Sequence, residues 1–200
     1  MPAPDLNSVF INCPFDDQYY TIFKAMVFTV SACGFKPRCT QEQDNAAEPR
    51  IEKIYRLIDK CAYAIHDISR TQLNPNHLPR FNMPFELGVF LGAVRFGTRR
   101  HRNKRCLILD TEPYRYQQFL SDIAGQDINA HEDNPERAVN RIRNWLRNTG
   151  PIPGAANIWT KYQTFSAELP ILCEQADLDP ENLVFNDYLL MVNGWLRENR

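Results

Sequence analysis

The chain lacks any long apolar run and any strong excess of charge. None of its hydrophobic stretches approaches the roughly 18–20 residues that a helix needs to span a bilayer. Its 23 basic and 24 acidic residues leave a formal net charge of −1, so no global positive field would attract nucleic acid or an anionic membrane. The first residues, MPAPDLNS, have no signal-peptide layout. We therefore expect a cytoplasmic protein with no membrane association and no nucleic-acid partner.

Three motifs that mark common kinds of site are also missing. The six cysteines form no Cys-x-x-Cys pair and no other spacing typical of zinc ligands, so we predict reduced, buried thiols and no metal site. Cys13-Pro14-Phe15 stands after the first apolar run, where a dinucleotide-binding fold would show Gly-x-Gly. No Ser-His-Asp arrangement is visible in the sequence.

The chain does contain a regular alternation of strand-like and helix-like segments. Short β-rich runs are found at residues 9–13, 35–40, 62–67, 105–110 and, more weakly, 127–131. Helices are predicted between them over residues 18–33, after Pro49, after Asn82, over residues 116–123 and over residues 134–147. This alternation predicts an α/β fold with a five-stranded, parallel, doubly wound and Rossmann-like sheet of order 2-1-3-4-5.

After the loop TGPIPGAAN the strand pattern stops, and helices alone are predicted, over residues 158–176 and 180–197. We therefore divide the chain into an α/β domain, residues 1–150, and a helical extension, residues 151–200. Aromatic residues of the extension are expected to pack on the sheet domain or on a second copy of the chain. The expected assembly is a homodimer or a larger oligomer formed through this helical tail.

A basic segment, RRHRNKR at residues 99–105, joins the third helix to the fourth strand. It should therefore lie at the amino edge of the sheet. We predict a solvated turn there.

Open parallel sheets bind ligands at the carboxyl ends of their strands, near the switch in strand order. That rule selects CPFDD after strand one, TQEQDN after strand two and the long segment 67–86 after strand three. The last of these is much longer than the usual connection of about 2–6 residues, and such loops are commonly functional. The predicted pocket residues are Asn12, Cys13, Phe15, Asp16, Glu42, Ser69, Arg80, Asn82 and Tyr116. For Tyr116, which follows strand four, packing in the core or on the surface is favoured, and stacking on a base of the ligand is the alternative.

Two carboxylates are candidates for catalysis. Asn82 is a good helix cap, which places Pro84 and Glu86 in the first helical turn, at the positive end of the dipole. An ionised Glu86 beside a sugar would stabilise or attack an oxocarbenium-like carbon as a glycosidic bond breaks. Asp67, at the end of strand three, would bind ribose hydroxyls or pass a proton to the leaving base. In the simpler alternative, Glu86 only favours the helix and Asp67 only begins a turn.

The motifs VFINCPFD, AYAIHDIS and N-x-x-x-E-L-G follow one another along the chain. Their order and spacing resemble the nucleoside 2-deoxyribosyltransferase-like superfamily and its bacterial TIR-like, nucleotide-binding relatives, over roughly residues 8–148. The resemblance implies a flavodoxin- or TIR-like fold and places the nucleophilic glutamate of the deoxyribosyltransferases on Glu86. It also implies that Asp67 to Ser69 border a nucleotide pocket. Relatives of this type include effectors of bacterial antiphage systems that cleave the N-glycosidic bond of NAD.

One position departs from the deoxyribosyltransferases, which place an acid six residues before the glutamate, where this chain has Arg80. A guanidinium group suits phosphate, so a nucleotide or NAD is expected as substrate, with no separate cofactor. The leading hypothesis is an N-glycosidase or N-ribosyltransferase acting on such a nucleotide. The alternatives are a nucleotide sensor or assembly module without turnover, and a flavodoxin-like signalling domain with a solvent-facing Glu86 and no cleft beside it.

Overall fold

A computed structural model describes residues 4–42, 45–71, 73, 76–78 and 80–199. Within these residues the strands form one parallel sheet in the order β2-β1-β3-β4-β5. The strands are β1 (Asp5–Asn12), β2 (Lys36–Arg38), β3 (Cys61–Asp67), β4 (Arg105–Asp110) and β5 (Ile128–Ala130). The five-stranded, doubly wound sheet predicted from the sequence is therefore confirmed.

The central strands are buried on both faces of the sheet. Val9 and Ile11 of β1 belong to the apolar cluster on one face, whereas Phe10 belongs to the cluster on the other. In the middle of the sheet, Ile65 of β3 stands opposite both Ile11 and Leu107 of the neighbouring strands. Burial on both faces explains why these strands appear in the sequence as nearly continuous apolar runs.

Helices cover both faces of the sheet. In the described part of the chain they are α1 (Tyr20–Ala32), α2 (Arg50–Lys60), α3 (Asn82–Phe96), α4 (Arg99–Arg102), α5 (Pro135–Leu146), α6 (Ala155–Gln175) and α7 (Phe185–Glu198). The helices α1, α5, α6 and α7 share one apolar cluster, while α2 and α3 pack on the opposite face. Among the described residues, no helix has the length and apolar character needed to cross a membrane.

The prediction of a helix over residues 116–123 is wrong. The structure has two short turns of 3-10 helix, Arg115–Gln118 and Ser121–Ile123, separated by Leu120 with φ of −146°. Ser121 and the following Asp122 favour such turns because their side chains compete with helical hydrogen bonds. The connection from β4 to β5 therefore contains no α-helix.

The basic segment at residues 99–105 is more ordered than the predicted solvated turn. Arg99–Arg102 forms the short helix α4. Arg100 is 2.6 Å and His101 is 2.9 Å from the carboxylate of Asp59 in α2. These contacts anchor α4 to the end of α2. The charge pattern of residues 99–105 could not indicate this, because the partner Asp59 lies in another helix.

The helical extension packs on the sheet domain. The ring of Phe28 in α1 lies 5.3 Å from that of Phe165 in α6 and 6.0 Å from that of Trp195 in α7, measured between centroids. The indole N–H of Trp195 also donates a hydrogen bond of 2.6 Å to Glu168, which joins α7 to α6. Of the two packing partners expected for the extension, the structure shows the sheet domain.

Candidate functional site

A cleft of about 400 Å³ opens at the carboxyl end of β1. Its walls come from the segment after β1, the start of α2, the loop after β3 and the start of α3. The lining residues are Cys13, Pro14, Phe15, Asp16, Arg50, Arg70, Arg80, Asn82 and Met83. The cleft thus brings together five of the predicted pocket residues, namely Cys13, Phe15, Asp16, Arg80 and Asn82.

The cleft is strongly basic. Arg50, Arg70 and Arg80 line it, against one lining carboxylate, that of Asp16. The Nε of Arg70 lies 3.7 Å from Asp16, and another of its guanidinium nitrogens lies 3.7 Å from Asp133. Neither is a close, paired contact, and the Nε of Arg70 has no hydrogen-bond partner among the described residues. The three guanidinium groups therefore give the cleft a positive charge that suits an anionic group.

Two of these arginines, Arg50 and Arg70, were not among the predicted pocket residues. Arg70 directly follows Ser69, so its place in the segment after β3 was a usable signal. Arg50 is the first residue of α2, where the helix dipole disfavours a positive charge. Its guanidinium lies 5.9 Å from the ring centroid of Phe15. The contacts of Arg50 with Phe15 and with the carboxylate of Glu86, rather than helix stability, account for a cation at this position.

Glu86 lies behind the arginine wall rather than on the surface of the cleft. The residue is 3% exposed, and its Oε1 lies 3.8 Å from a guanidinium nitrogen of Arg50. Its Oε2 has no hydrogen-bond partner among the described residues. Burial raises the pKa of Glu86 above its usual value, although Arg50 and the Asn12 amide offset part of this rise. Glu86 does not line the cleft, and Arg50 is the lining residue that contacts its carboxylate.

The position of Glu86 within its helix differs from the prediction. Because α3 begins at Asn82, Glu86 is the fifth helical residue, and the first turn contains no acidic residue. Phe81 is the N-cap residue, and no side chain caps this helix end. The field of the helix dipole fades beyond the first turn. Arg50 and Asn12, rather than the helix start, are therefore the neighbours that favour the charged form of Glu86.

Asn12 links Glu86 to a buried histidine. Its Nδ2 lies 3.1 Å from Nδ1 of His66 on the neighbouring strand β3, and both residues are buried. Burial lowers the pKa of His66 to about 3, so the imidazole is neutral and its Nδ1 accepts the hydrogen bond. Asn12 does not line the cleft and instead supports the carboxylate from inside the protein.

Asp67 is fully buried and connects three segments of the chain. Its Oδ2 accepts a hydrogen bond of 2.6 Å from the hydroxyl of Tyr19 and lies 3.0 Å from Nε2 of His131. Its Oδ1 accepts a hydrogen bond of 2.9 Å from the backbone N–H of Ser69. Burial alone would raise the pKa of Asp67, but these three contacts outweigh it and lower the pKa.

The structure therefore does not bring Asp67 and Glu86 into one cavity. The predicted contact between Asp67 and a ribose would require the Asp67 network to open, because each of its carboxylate oxygens already has a partner. In the described conformation the contacts of Asp67 are all within the protein.

Three other predicted pocket residues lie away from the cleft. Glu42 forms an ion pair of 2.6 Å with Arg38. Ser69 is fully buried and contributes its backbone N–H to the Asp67 network. Tyr116 packs with Met83 in a buried apolar cluster, so its ring is not placed to stack on a base in the cleft. The short turn that carries Tyr116 points the ring inward, towards the sheet.

Cys13 lines the cleft, but its thiol is not activated. Burial and the nearby negative charge of Asp67 raise the pKa of Cys13 well above its usual value, so the thiol stays protonated and weakly nucleophilic. All six cysteines are free, and five of them are buried. In the described part of the chain, no group of three or more His, Cys, Asp or Glu side chains is arranged to hold a metal ion.

Comparisons with known proteins do not identify a family. No protein-family model, no curated protein and no solved structure matches the chain. The likeness to the nucleoside 2-deoxyribosyltransferase-like superfamily therefore stays a prediction from short motifs. The fold and the site themselves define a class: a doubly wound, parallel α/β protein with a basic cleft at the carboxyl edge of its sheet.

Proposed function

We propose that the basic cleft binds a nucleotide through its phosphates and that Glu86 takes part in cleaving the bond between base and ribose. The main support is the convergence of Arg50, Arg70 and Arg80 on one cleft of about 400 Å³. This cleft lies at the edge where doubly wound sheets bind ligands. The proposed activity is that of a nucleotide N-glycosidase or N-ribosyltransferase, with NAD as the first candidate substrate.

The charge and extent of the cleft favour a phosphorylated ligand over a free nucleoside. Guanidinium groups bind phosphate oxygens in pairs, and a free nucleoside carries no group that matches them. An adjoining cavity of about 540 Å³ shares Asp16, Arg70 and Arg80 with the cleft. Because the two cavities share Arg70 and Arg80, we propose that a ligand with two phosphates, such as a dinucleotide, extends from one into the other.

Arg50 connects phosphate binding to Glu86. Its guanidinium is exposed in the cleft and lies 3.8 Å from the Glu86 carboxylate. A phosphate that attracts Arg50 would uncover Glu86 towards the sugar, where an ionised carboxylate stabilises positive charge on the anomeric carbon. In hydrolysis the C–N bond breaks with its electrons on the base, and a water oxygen bonds to the carbon. From NAD the base leaves as neutral nicotinamide and the proton lost by that water is released to solvent, whereas a base that is uncharged in the substrate takes up that proton as it leaves.

The test is incubation of the pure protein with NAD and a panel of nucleotides, followed by chromatographic detection of free base. We expect release of base by the wild type and a loss of about 100-fold or more in Glu86→Gln, because the carboxylate charge acts in the transition state. Glu174→Gln, an exposed acid on α6, is the matched control and should remain fully active. Equal rates for Glu86→Gln and the wild type would exclude Glu86 from the reaction.

A second candidate, nucleotide binding without turnover, is favoured by the placement of Asp67. This predicted second catalytic group is buried in its own network, so it does not stand beside the cleft as an acid for the leaving base. Calorimetric binding of a nucleotide by the wild type and by Glu86→Gln, with no product from either, would support this function. Absence of binding for every nucleotide tested would contradict both candidates.

The signalling-domain alternative has no such support. It required a solvent-facing Glu86 with no cleft beside it. The residue is buried, and the basic cleft begins at its partner Arg50.

A further inference from the structure

The outward side of α3 carries three exposed phenylalanines, next to the exposed Arg95 of the last turn. Phe81, at its start, is 50% exposed, Phe85 is 58% exposed and Phe96, at its end, is 86% exposed. Gly88 and Gly92 fall between them, and at 3.6 residues per turn all five positions share one side of the helix. A helix side that faces solvent normally carries polar residues. We call this surface, formed by Phe81, Phe85, Gly88, Gly92 and Phe96, the α3 face.

The two glycines of the α3 face are not required by packing within the chain. A β-carbon added at Gly88 or Gly92 would meet no atom within 4 Å. Glycine inside a helix destabilises it relative to alanine, and one reason to keep glycine is the close approach of another backbone. Gly88 and Gly92 together leave a shallow notch between the rings of Phe85 and Phe96.

We propose that the α3 face is the contact between two copies of this chain, with the two α3 helices packed antiparallel. A two-fold axis that passes between Gly88 and Val89 sets Phe85 opposite Gly92 of the partner subunit. The same axis sets Phe81 opposite Phe96 of the partner subunit. Each Phe85 ring then fills the notch above a glycine, and every contact occurs twice, as an isologous interface requires. This self-complementary order of residues favours a second copy over an unrelated partner.

The exposed area is suited to such a dimer. An aromatic side chain presents about 150–250 Å², so with their exposed fractions the three phenylalanines offer roughly 400 Å² per chain. A stable interface buries about 800 Å² per partner. The rings therefore supply about half of the required area, so the proposed interface also has to include groups next to them, such as Asn82 and Arg95. Apolar patches of several hundred Å² on soluble chains often mark interaction sites.

Dimerisation at the α3 face would also affect the cleft. Phe81 lies between Arg80 and Asn82, which both line the cleft. Burial of the Phe81 ring in the interface would hold the chain segment that carries these two residues. The dimer itself, however, does not depend on the identity of the ligand.

The test is sedimentation velocity over a concentration series of the full chain. We expect the wild type to dimerise, and we expect Phe85→Glu and Gly92→Leu each to raise the dissociation constant at least about tenfold, since each changes both halves of a symmetric contact. Gly92→Leu is the sharper variant, because its side chain begins in open space in a single chain. Its melting temperature, measured on dilute monomer, should stay at or above that of the wild type.

Leu190→Glu is the matched control, because Leu190 on α7 is 59% exposed and probes the helical tail as an alternative interface. It should leave the dimer intact. A dimer that survives both α3 substitutions but dissociates in Leu190→Glu would move the interface to the tail and overturn the proposal. A wild type that remains monomeric at every concentration would overturn it as well. Oxidation should cross-link Gly88→Cys, which lies beside the proposed axis, and should not cross-link Leu190→Cys.

Discussion

Glu86 and Asp67 are both buried carboxylates near the carboxyl edge of the sheet, yet their environments act on them in opposite ways. Asp67 accepts two hydrogen bonds and stands 3.0 Å from His131, and its pKa is lowered. Glu86 has one guanidinium at 3.8 Å and one oxygen without a described partner, and its pKa is raised. Burial by itself favours a higher pKa for both groups. The number and proximity of their donors therefore decide whether each pKa ends above or below its usual value.

The partners of Asp67 and Glu86 thus lie in different places. The donors to Asp67 come from inside the protein, and the network leaves it no exposed surface. Glu86 has its nearest cation on the wall of an open cleft. Substitutions at the two positions should therefore have opposite effects on stability, and only substitutions around Glu86 should change ligand binding.

The largest effect is expected from Asp67→Ala. Removal of the carboxylate leaves the Tyr19 hydroxyl and the Ser69 N–H without their acceptor in the core, and it removes the group that lies 3.0 Å from Nε2 of His131. The free energy of unfolding should fall by about 3–5 kcal/mol, as measured by urea denaturation. Asp122→Ala, at an exposed site, should change it by less than about 0.5 kcal/mol. A loss below about 1 kcal/mol in Asp67→Ala would mean that Asp67 does not maintain the fold.

Arg70→Met tests whether Arg70 serves nucleotide binding in the cleft or the stability of the Asp67 network. Arg70 lies close to both regions, since it lines the cleft and its guanidinium is 5.9 Å from the ring centroid of Tyr19, the partner of Asp67. We expect nucleotide binding, measured by calorimetry, to weaken about tenfold or more, while stability changes little. Arg102→Met, at an exposed position of α4, is the control. A stability loss as large as that of Asp67→Ala would place Arg70 in the Asp67 network instead.

A smaller effect of opposite sign is expected from Glu86→Gln. The neutral amide removes a buried charge with one unsatisfied oxygen. The free energy of unfolding at neutral pH should therefore rise by about 1 kcal/mol. Urea denaturation of the two proteins side by side measures the difference. A decrease of similar size would show that Arg50 and Asn12 satisfy the carboxylate fully.

The dependence of stability on pH should sharpen the contrast. The folded chain raises the pKa of Glu86 above 4.5. The wild type should therefore be most stable, relative to Glu86→Gln, below pH 4.5, and it should lose this stability as pH rises through the raised pKa. Asp67 behaves in the opposite way: its contribution is full above 3.8 and is lost only as pH falls through its lowered pKa. Denaturation series on wild type and Glu86→Gln from about pH 4 to 8 test the first statement.

Arg50→Met extends the same measurement. Removal of the positive charge at 3.8 Å should raise the pKa of Glu86 further, so the loss of stability should shift to higher pH. An unchanged pH profile would indicate that Arg50 does not act on the buried carboxylate.

The sheet could be predicted because its strands are buried on both faces and therefore appear as apolar runs between helices. The wrong helix at residues 116–123 has a physical explanation. Tyr116, Phe119, Leu120 and Ile123 have helical spacing, and all four contribute to one apolar cluster. Spacing reports which side of a segment is buried, and two 3-10 turns joined at Leu120 bury the same side as a helix would.

The site was predictable where it depends on strand ends and not where it depends on distant partners. Cys13 and Asp16 follow β1 directly, and the rule for parallel sheets identifies them. The engagement of Asp67 by Tyr19 and His131 arises from segments far apart in the chain, so no local pattern shows it. The same holds for Arg50, which reaches Glu86 from another helix.

The Asp67 network also bears on how fast the chain unfolds. Its bond to Tyr19 joins residues 48 positions apart, and His131 directly follows β5, the last strand of the sheet. Such contacts close long loops, so we expect them to form only after the folding barrier has been crossed. Asp67→Ala should then accelerate unfolding much more than it slows folding in stopped-flow measurements. We therefore expect the buried aspartate to set the lifetime of the native state. That lifetime governs resistance to irreversible inactivation.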